Sequence, residues 1–358
     1  MGGSRRPVRK ATSDRNARGK LGKTIINTTI PSILRANARA RKGVAAVELI
    51  VDPTPTFPQH AGAAVALPKA SPSRLEAASE TASEGSLEGS TDKPPDDSKT
   101  STLATLVVAD TLEAASNLHT RNLEAPPHRR PRIAILNMAS PLRPGGGVLS
   151  GATSQEESLC RRTTLYPSLK DEFYRLPELG AIYTPDVLVF RLDDDLAAKS
   201  NDKKDWFFID VVTAAMHRLP EVDGCGREQK YAEDRDREAT VKKMMAVMQI
   251  VKDKRVGQVV LGAWGCGAYG NPVGEIARAW RKVLLRAKSS ETDQVGKVVA
   301  DAGSHTANNR ESSRNIEVVF AIKDAKMAEA FREAFGDQLL ESISSSRTST
   351  PEEVVNDE

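Results

Sequence analysis

The sequence predicts a layered α/β domain with a mostly parallel or mixed sheet. Apolar runs rich in β-branched residues alternate with stretches of helical period along most of the chain, the pattern of strands connected through helices. Two glycine-rich loops stand where a strand hands over to a helix, which is where open α/β sheets bind ligands. The low aromatic share of 4% against 39% hydrophobic residues implies an aliphatic core diluted by segments that do not fold.

The N-terminus is sharply basic. Residues 1–42 carry twelve of the 51 Lys and Arg and one of the 48 acids, Asp14, which leaves 39 basic and 47 acidic residues for the rest. The remainder is therefore acidic, around −8. Residues 1–19 are expected to be a disordered basic arm able to meet a polyanion at a distance. Arg-rich and acid-poor, the arm also resembles a mitochondrial transit peptide. Residues 20–50 are expected to add a helical segment, with a helix over 21–36. Residues 53–101 hold seven prolines, eight serines and one aromatic, Phe57. Such a stretch cannot bury enough apolar surface to offset its ordering entropy, so a disordered insertion is expected.

The folded domain is expected over 102–340. Residues 104–109 (A-T-L-V-V-A) read as a buried strand, and Asp110-x-x-Glu113 as a capping box opening a helix. Further strands are expected at 132–138, 186–192, 206–212, 257–262 and 316–322. Helices are expected from Gln155, with Leu159, Thr163 and Tyr166 inward, and over 236–251 and 272–287. A last one carries Met327, Ala330, Phe331, Ala334 and Phe335 on one face. Residues 288–314 read as a flexible insertion and 341–358 as a disordered tail.

Several classes are excluded. No run approaches 18 apolar residues, which argues against a membrane helix. Three separated cysteines, Cys160, Cys225 and Cys266, make no disulfide framework and no C-x-x-C zinc site. No H-E-x-x-H is present among the five histidines, so no metal is expected.

The first glycine loop reads N-M-A-S-P-L-R-P-G-G-G-V-L-S-G-A-T-S-Q-E-E over 137–157. Gly145, Gly146 and Gly147 permit positive φ and close approach to the backbone. Unpaired amides in such a loop would suit an anion or sugar hydroxyls. No Gly-Lys-Ser/Thr follows, so this is not a Walker A loop. The acids of Gln155-Glu156-Glu157 are ordinary residues for a first helical turn. The triple glycine followed by this triplet changes that reading. Together with the surrounding L-N-M-A-S-P-L-R-P and L-C-R-R-T-T-L-Y-P-S-L, it resembles the signature of bacterial and fungal poly(ADP-ribose) glycohydrolases, from about residue 104 to 336.

The resemblance implies a macrodomain-like, three-layer α/β/α sandwich with a mixed sheet. It implies that Glu157 protonates the leaving oxygen of a ribose–ribose bond and then deprotonates water. Glu156 would hold a ribose hydroxyl. Asn137 would help bind the terminal ribose, and Gln155 would contact the ligand. A protonated Glu157 would need its pKa raised by burial or by its neighbour. The second loop, L-G-A-W-G-C-G-A-Y-G-N over 261–271, holds four glycines in nine residues ahead of a helix. Its amides and the helix N-terminus would suit a diphosphate. The family pattern matches Gly265, Cys266, Gly267, Ala268, Tyr269 and Asn271, with Tyr269 where the family packs a ring on the ribose. Cys266 reads as a small residue with a backbone role. Asp110 stands where macrodomains contact the adenine amino group, and its capping role explains it equally well. Met216-His217 departs from the Pro-Asn common in the family. His217 reads either as a ligand contact or as a solvent-facing loop residue.

The expected activity is hydrolysis of poly(ADP-ribose) to ADP-ribose without metal or cofactor, by a monomer acting on ADP-ribosylated proteins in cytoplasm, nucleus or mitochondria. The competing readings are a macrodomain that binds ADP-ribose without cutting it and a hydrolase of mono-ADP-ribosylated protein. A third, nucleic-acid binding, rests on the basic arm alone.

Overall fold

The computed structural model describes residues 7–53, 103–195, 201–300 and 316–343. The expected insertion over 53–101, the second over 288–314 beyond its helical start, and the tail from 344 lie outside the described residues.

Three helices open the chain: α1 (Pro7–Thr24), α2 (Ile30–Ala36) and α3 (Ala38–Ala45). A π turn over Ile25–Thr29 joins the first two. Strand β1 (Glu48–Val51) and β2 (Ala104–Val107) follow, then α4 (Thr111–Asn122), β3 (Ile133–Met138), α5 (Gln155–Arg162), β4 (Gly180–Val189) and β5 (Phe207–Ala214). A small hairpin of β6 (Val222–Asp223) and β7 (Lys230–Tyr231) leads into α6 (Asp234–Asp253). The remaining elements are β8 (Gln258–Leu261), α7 (Val273–Ala300), β9 (Glu317–Ala321), α8 (Ala325–Phe335) and β10 (Leu340–Ile343).

Eight strands form one mixed sheet in the order β1-β4-β5-β3-β8-β9-β2-β10. The six from β5 to β10 run parallel, while β4 and β1 add antiparallel edges. Alternate strand residues feed opposite faces, as a period of two requires. Ala134, Leu136, Val259 and Leu261 pack with Met244, Trp280 and Phe331 from α6, α7 and α8. Ile133, Ile135 and Val260 pack with Leu112, Leu118 and Leu159 from α4 and α5. The result is the expected three-layer α/β/α sandwich.

Four expectations need correction. The strand read at 186–192 begins at Gly180; Pro185-Asp186 looks like a break, yet the register merely shifts between Thr184 and Val187 and the pairing resumes. The helix from Gln155 ends at Arg162. Thr163 is extended and Tyr166 lies in a 3-10 turn, so neither is on its inward face. Residues 288–300, read as the start of a flexible insertion, continue α7.

The fourth correction concerns the basic arm. Residues 7–19 belong to α1, which packs on the turn that follows the triple glycine. The contact is backbone on backbone. A Cβ on Gly151, whose φ is +77°, would stand 2.0 Å from the carbonyl oxygen of Arg15. One on Gly22 would stand 2.7 Å from that of Val148. Arg15 and Arg18 donate through Nε to the carbonyls of Ser150 and Gly151, both at 3.1 Å. Behind α1, Ile25, Ile30 and Ile33 bury against Leu188 and Phe190 of the sheet edge. The segment read as a solvated arm is thus a helix anchored by glycines, with Arg15 and Arg18 turned to the loop.

Gly151→Ala should therefore loosen α1 from the domain. Left-handed strain alone costs about 1–2 kcal/mol, and each kcal/mol lowers the melting temperature of a domain this size by about 2–4 °C. Amide exchange in α1 should accelerate more than in the sheet. Unchanged exchange in α1 would show that the close approach does not hold it.

Candidate active site

The carboxyl ends of the parallel strands open into a cleft of about 1190 Å³, somewhat above the range usual for small-molecule sites, roughly 300–1,000 Å³. Its floor is the first glycine loop and the start of α5. Gly145 and Gly146 have φ of +62° and +55°, so the backbone turns in a conformation that L side chains avoid. A Cβ on Gly146 would lie 2.4 Å from Oε1 of Glu157 and 2.9 Å from Oε2 of Glu156. The missing side chain is the space in which both carboxyls stand.

This overturns one expectation about the loop. Its amides are not free for an anion: Gly146 donates to the carbonyl of Arg143 at 3.1 Å, and Gly147 donates to Oε1 of Glu157 at 2.7 Å. The loop is a mount for the acids. The other Glu157 oxygen, Oε2, accepts the hydroxyl of Ser154. Ser154-x-x-Glu157 has the spacing of a capping box, in which both side chains would bond backbone amides. Here they bond each other, and Glu157 faces the loop.

Glu156 is held separately. Its Oε2 accepts the amide of Ser140 at 2.8 Å, and only 2% of the residue is exposed. Burial, more than the neighbouring charge of Glu157, pushes its carboxyl up to about 8. Asn137 lies beside it, fully buried, with Nδ2 donating to Thr213 Oγ1 at 3.2 Å. Glu156 Oε1 and Asn137 Oδ1 are both buried without a hydrogen bond of good geometry among the described residues, although the Asn137 side chain and the Gly145 amide face the Glu156 carboxyl and partly offset its upward shift; native interiors rarely tolerate such atoms unless a proton, water or ligand completes them.

The second loop is the reverse of the first. Cys266, Gly270 and Asn271 donate to carbonyls within the loop. The amides of Gly265, Gly267, Ala268 and Tyr269 donate to no acceptor among the described residues, and these four residues line the cleft. A Cβ on Gly267 would meet nothing within 4 Å. Asn271 braces the turn, accepting from Tyr231 Oη at 2.8 Å and donating to the carbonyls of His217 and Gly265 at 2.8 and 3.1 Å. Cys266 turns its thiol toward the core, where burial pushes it up. Neither Asn271 nor Cys266 lines the cleft, nor does the N-terminus of α7, so the expected helix-end contact is replaced by loop amides. Tyr269 leans on Ser140 beside Glu156.

The remaining expected residues have largely structural partners. Gln155 accepts the amide of Met138 at 2.8 Å and donates to the carbonyl of Leu136 at 2.8 Å. It pins α5 to the end of β3 and also lines the cleft. Asp110 caps α4 through the amide of Leu112 at 2.8 Å, and its other oxygen takes Arg162 at 2.8 Å. Both capping and cleft lining are therefore met in one residue. Arg161 clamps Asp194 and the carbonyl of Ala152. His217 does not line the cleft; its neighbours Met216 and Arg218 do. Sequence reasoning missed Ser140, Ser154, Trp264, Arg15 and Arg18. Of these only Ser154 left a signal, its spacing to Glu157. Among the described residues, no cluster of three or more His, Cys, Asp or Glu is placed to hold a metal, and no helix is long and apolar enough to cross a membrane.

Comparison with known proteins places this geometry in a family context. A family model described as microbial-type PARG, catalytic domain, matches residues 57–192, which include the first loop and both acids. The chain is similar to the crystal structure of poly(ADP-ribose) glycohydrolase from Thermomonospora curvata, with 20% identity and a TM-score of 0.54 over 90% of this chain and 98% of that one. The same enzyme bound to the inhibitor ADP-HPD gives a TM-score of 0.53 at 20% identity over 90% and 99%. The glycohydrolase from Deinococcus radiodurans in complex with ADP-ribose is 25% identical over 65% of this chain and 85% of that one, with a TM-score of 0.44. The likeness to the Thermomonospora curvata structures shows that the fold is macrodomain-like. No curated protein sequence matches the chain.

The raised Glu156 carboxyl predicts a pH effect. The folded protein holds that proton up to about pH 8, whereas the unfolded chain releases it in the ordinary carboxylate range. Across that window the native state binds more protons, so stability falls as pH rises. Glu156→Gln keeps the acceptor for Ser140 and cannot ionise. Its melting temperature relative to wild type should climb through the window and level off above pH 8. A difference independent of pH would contradict the assignment.

Proposed function

We propose that the protein hydrolyses the ribose–ribose bonds of poly(ADP-ribose) and releases ADP-ribose. The observation that carries this reading is the pairing of two buried carboxyls on the cleft floor with four unpaired amides along the same cleft. A module that only binds a doubly negative ligand gains nothing from acids buried against it. A hydrolase needs both.

The free amides at Gly265, Gly267, Ala268 and Tyr269 would take the diphosphate. Tyr269 and Ser140 then bring the distal ribose to Glu156, whose unpaired Oε1 accepts a ribose hydroxyl. The ring of Tyr269 packs along the sugar.

Cleavage passes through an oxocarbenium-like state. Most glycosidases divide proton donation and water activation between carboxyls on opposite sides of the bond. Adjacent residues at the head of one helix cannot flank it. One group must act twice, and Glu157 is the candidate, since Gly147 and Ser154 fix it at the loop where the leaving unit departs. Glu157 gives a proton to the leaving 2′ oxygen, which breaks the glycosidic bond. It then takes one from water as the water oxygen bonds C1″, and the proton inventory closes. The diphosphate, held nearby, offsets the positive charge on the sugar.

Glu157→Gln should reduce ADP-ribose release from polymer by at least the range assigned to general acid–base catalysis, about 10²–10⁴-fold. Calorimetric affinity for ADP-ribose should stay within a few-fold of wild type. Full turnover in the variant would remove Glu157 from the mechanism, and a wild-type protein that binds ADP-ribose but releases none from polymer would be a reader.

A further inference from the structure

The polymer has more than one unit, and the site described so far accounts for the unit being released. Resting on that reading, we propose that Arg15 and Arg18 of α1 form a second phosphate subsite, which holds the neighbouring unit of the polymer and makes the enzyme selective for polymer over single ADP-ribosyl groups.

The placement follows from contacts on the two sides of the acid pair. Glu156 takes Ser140, and Ser140 meets Tyr269 of the second loop. Glu157 takes Gly147 and Ser154, and the turn between those residues holds Arg15 and Arg18 through the carbonyls of Ser150 and Gly151. The unit whose diphosphate sits on the second loop therefore reaches the pair from the Glu156 side. What lies beyond the bond leaves on the Glu157 side, toward α1.

Chemistry singles out these two arginines. Both line the cleft. Each commits only Nε to a carbonyl, and neither has an ion-pair partner among the described residues. The remaining guanidinium N–H groups suit phosphate oxygens. The nearby acids are already engaged: Asp194 is clamped by Arg161 and Asp110 by Arg162. Asp14, the one acid on α1, makes no ion pair among the described residues. The helix from Arg15 to Gly22 is bound to the loop by glycine contacts, so the charge is presented at a fixed place and not on a tether.

The test compares two substrates on wild type, Arg15→Gln/Arg18→Gln and Arg15→Lys/Arg18→Lys. One is poly(ADP-ribose); the other is ADP-ribose carrying an uncharged alcohol at C1″. For the glutamine pair, the ratio of kcat/KM on polymer to kcat/KM on the one-unit substrate should fall about tenfold. The salt slope on polymer should shrink by about 1.4, at roughly 0.7 for each of two lost phosphate contacts on a single strand. The lysine pair should retain the salt slope. An equal loss on both substrates would mean that the arginines only brace the glycine loop, and would overturn the subsite, as would an unchanged ratio. Wild type that cleaves the one-unit substrate and not polymer would overturn the polymer reading itself, and the subsite with it.

Discussion

Everything at this site depends on one absent side chain. With φ of +55° and no Cβ, Gly146 lets the loop backbone pass within contact of Glu156 and Glu157. Gly147 then presents its amide to Glu157, and Ser154 closes the other side. Two acids side by side in the first turn of a helix are common and usually solvated. Here the loop folds over them, and burial turns an ordinary helix start into a pair with one raised carboxyl.

The two glycine loops divide the chemistry between them. The first spends its amides internally to fix carboxyls. The second leaves four amides open along the cleft. A substrate with a negative diphosphate and a neutral sugar fits that division: charge at one loop, bond breaking at the other. This also resolves how a domain that is acidic outside its N-terminus can take a polyanion. On the proposed reading, local amides and two arginines on α1 would meet the phosphates, while the acids of the cleft are paired with Arg161 and Arg162 or shielded by burial.

Much of this was legible in the sequence. Alternating apolar runs disclosed most strands and helices, and G-G-G with Q-E-E marked the floor of the cleft. Three things were not legible, each for a physical reason. Whether a loop amide is free depends on its partner, so the opposite roles of the two glycine loops appear only in three dimensions. Gln155 lines the cleft, and that the end of β3 takes both ends of its amide appears only when strand and helix are brought together. A helix rich in arginine and lysine carries no apolar stripe strong enough to show that it docks; α1 docks through Gly19, Gly22 and Gly151, where closeness of backbone replaces burial of side chains. The register shift after Thr184 likewise hid half of β4 behind Pro185-Asp186, and the short edge strands β1 and β10 carry too few residues to show a period.

The most direct measurement of this account is ADP-ribose release from poly(ADP-ribose) by Gly146→Ala. The added methyl enters the space of both carboxyls and leaves the second loop and the arginines of α1 untouched. Turnover should fall by at least about 10²-fold, the lower range of acid–base catalysis, while ADP-ribose still binds and the protein still melts cooperatively. Turnover near that of wild type would contradict the claim that the space above this glycine is what makes the acid pair work.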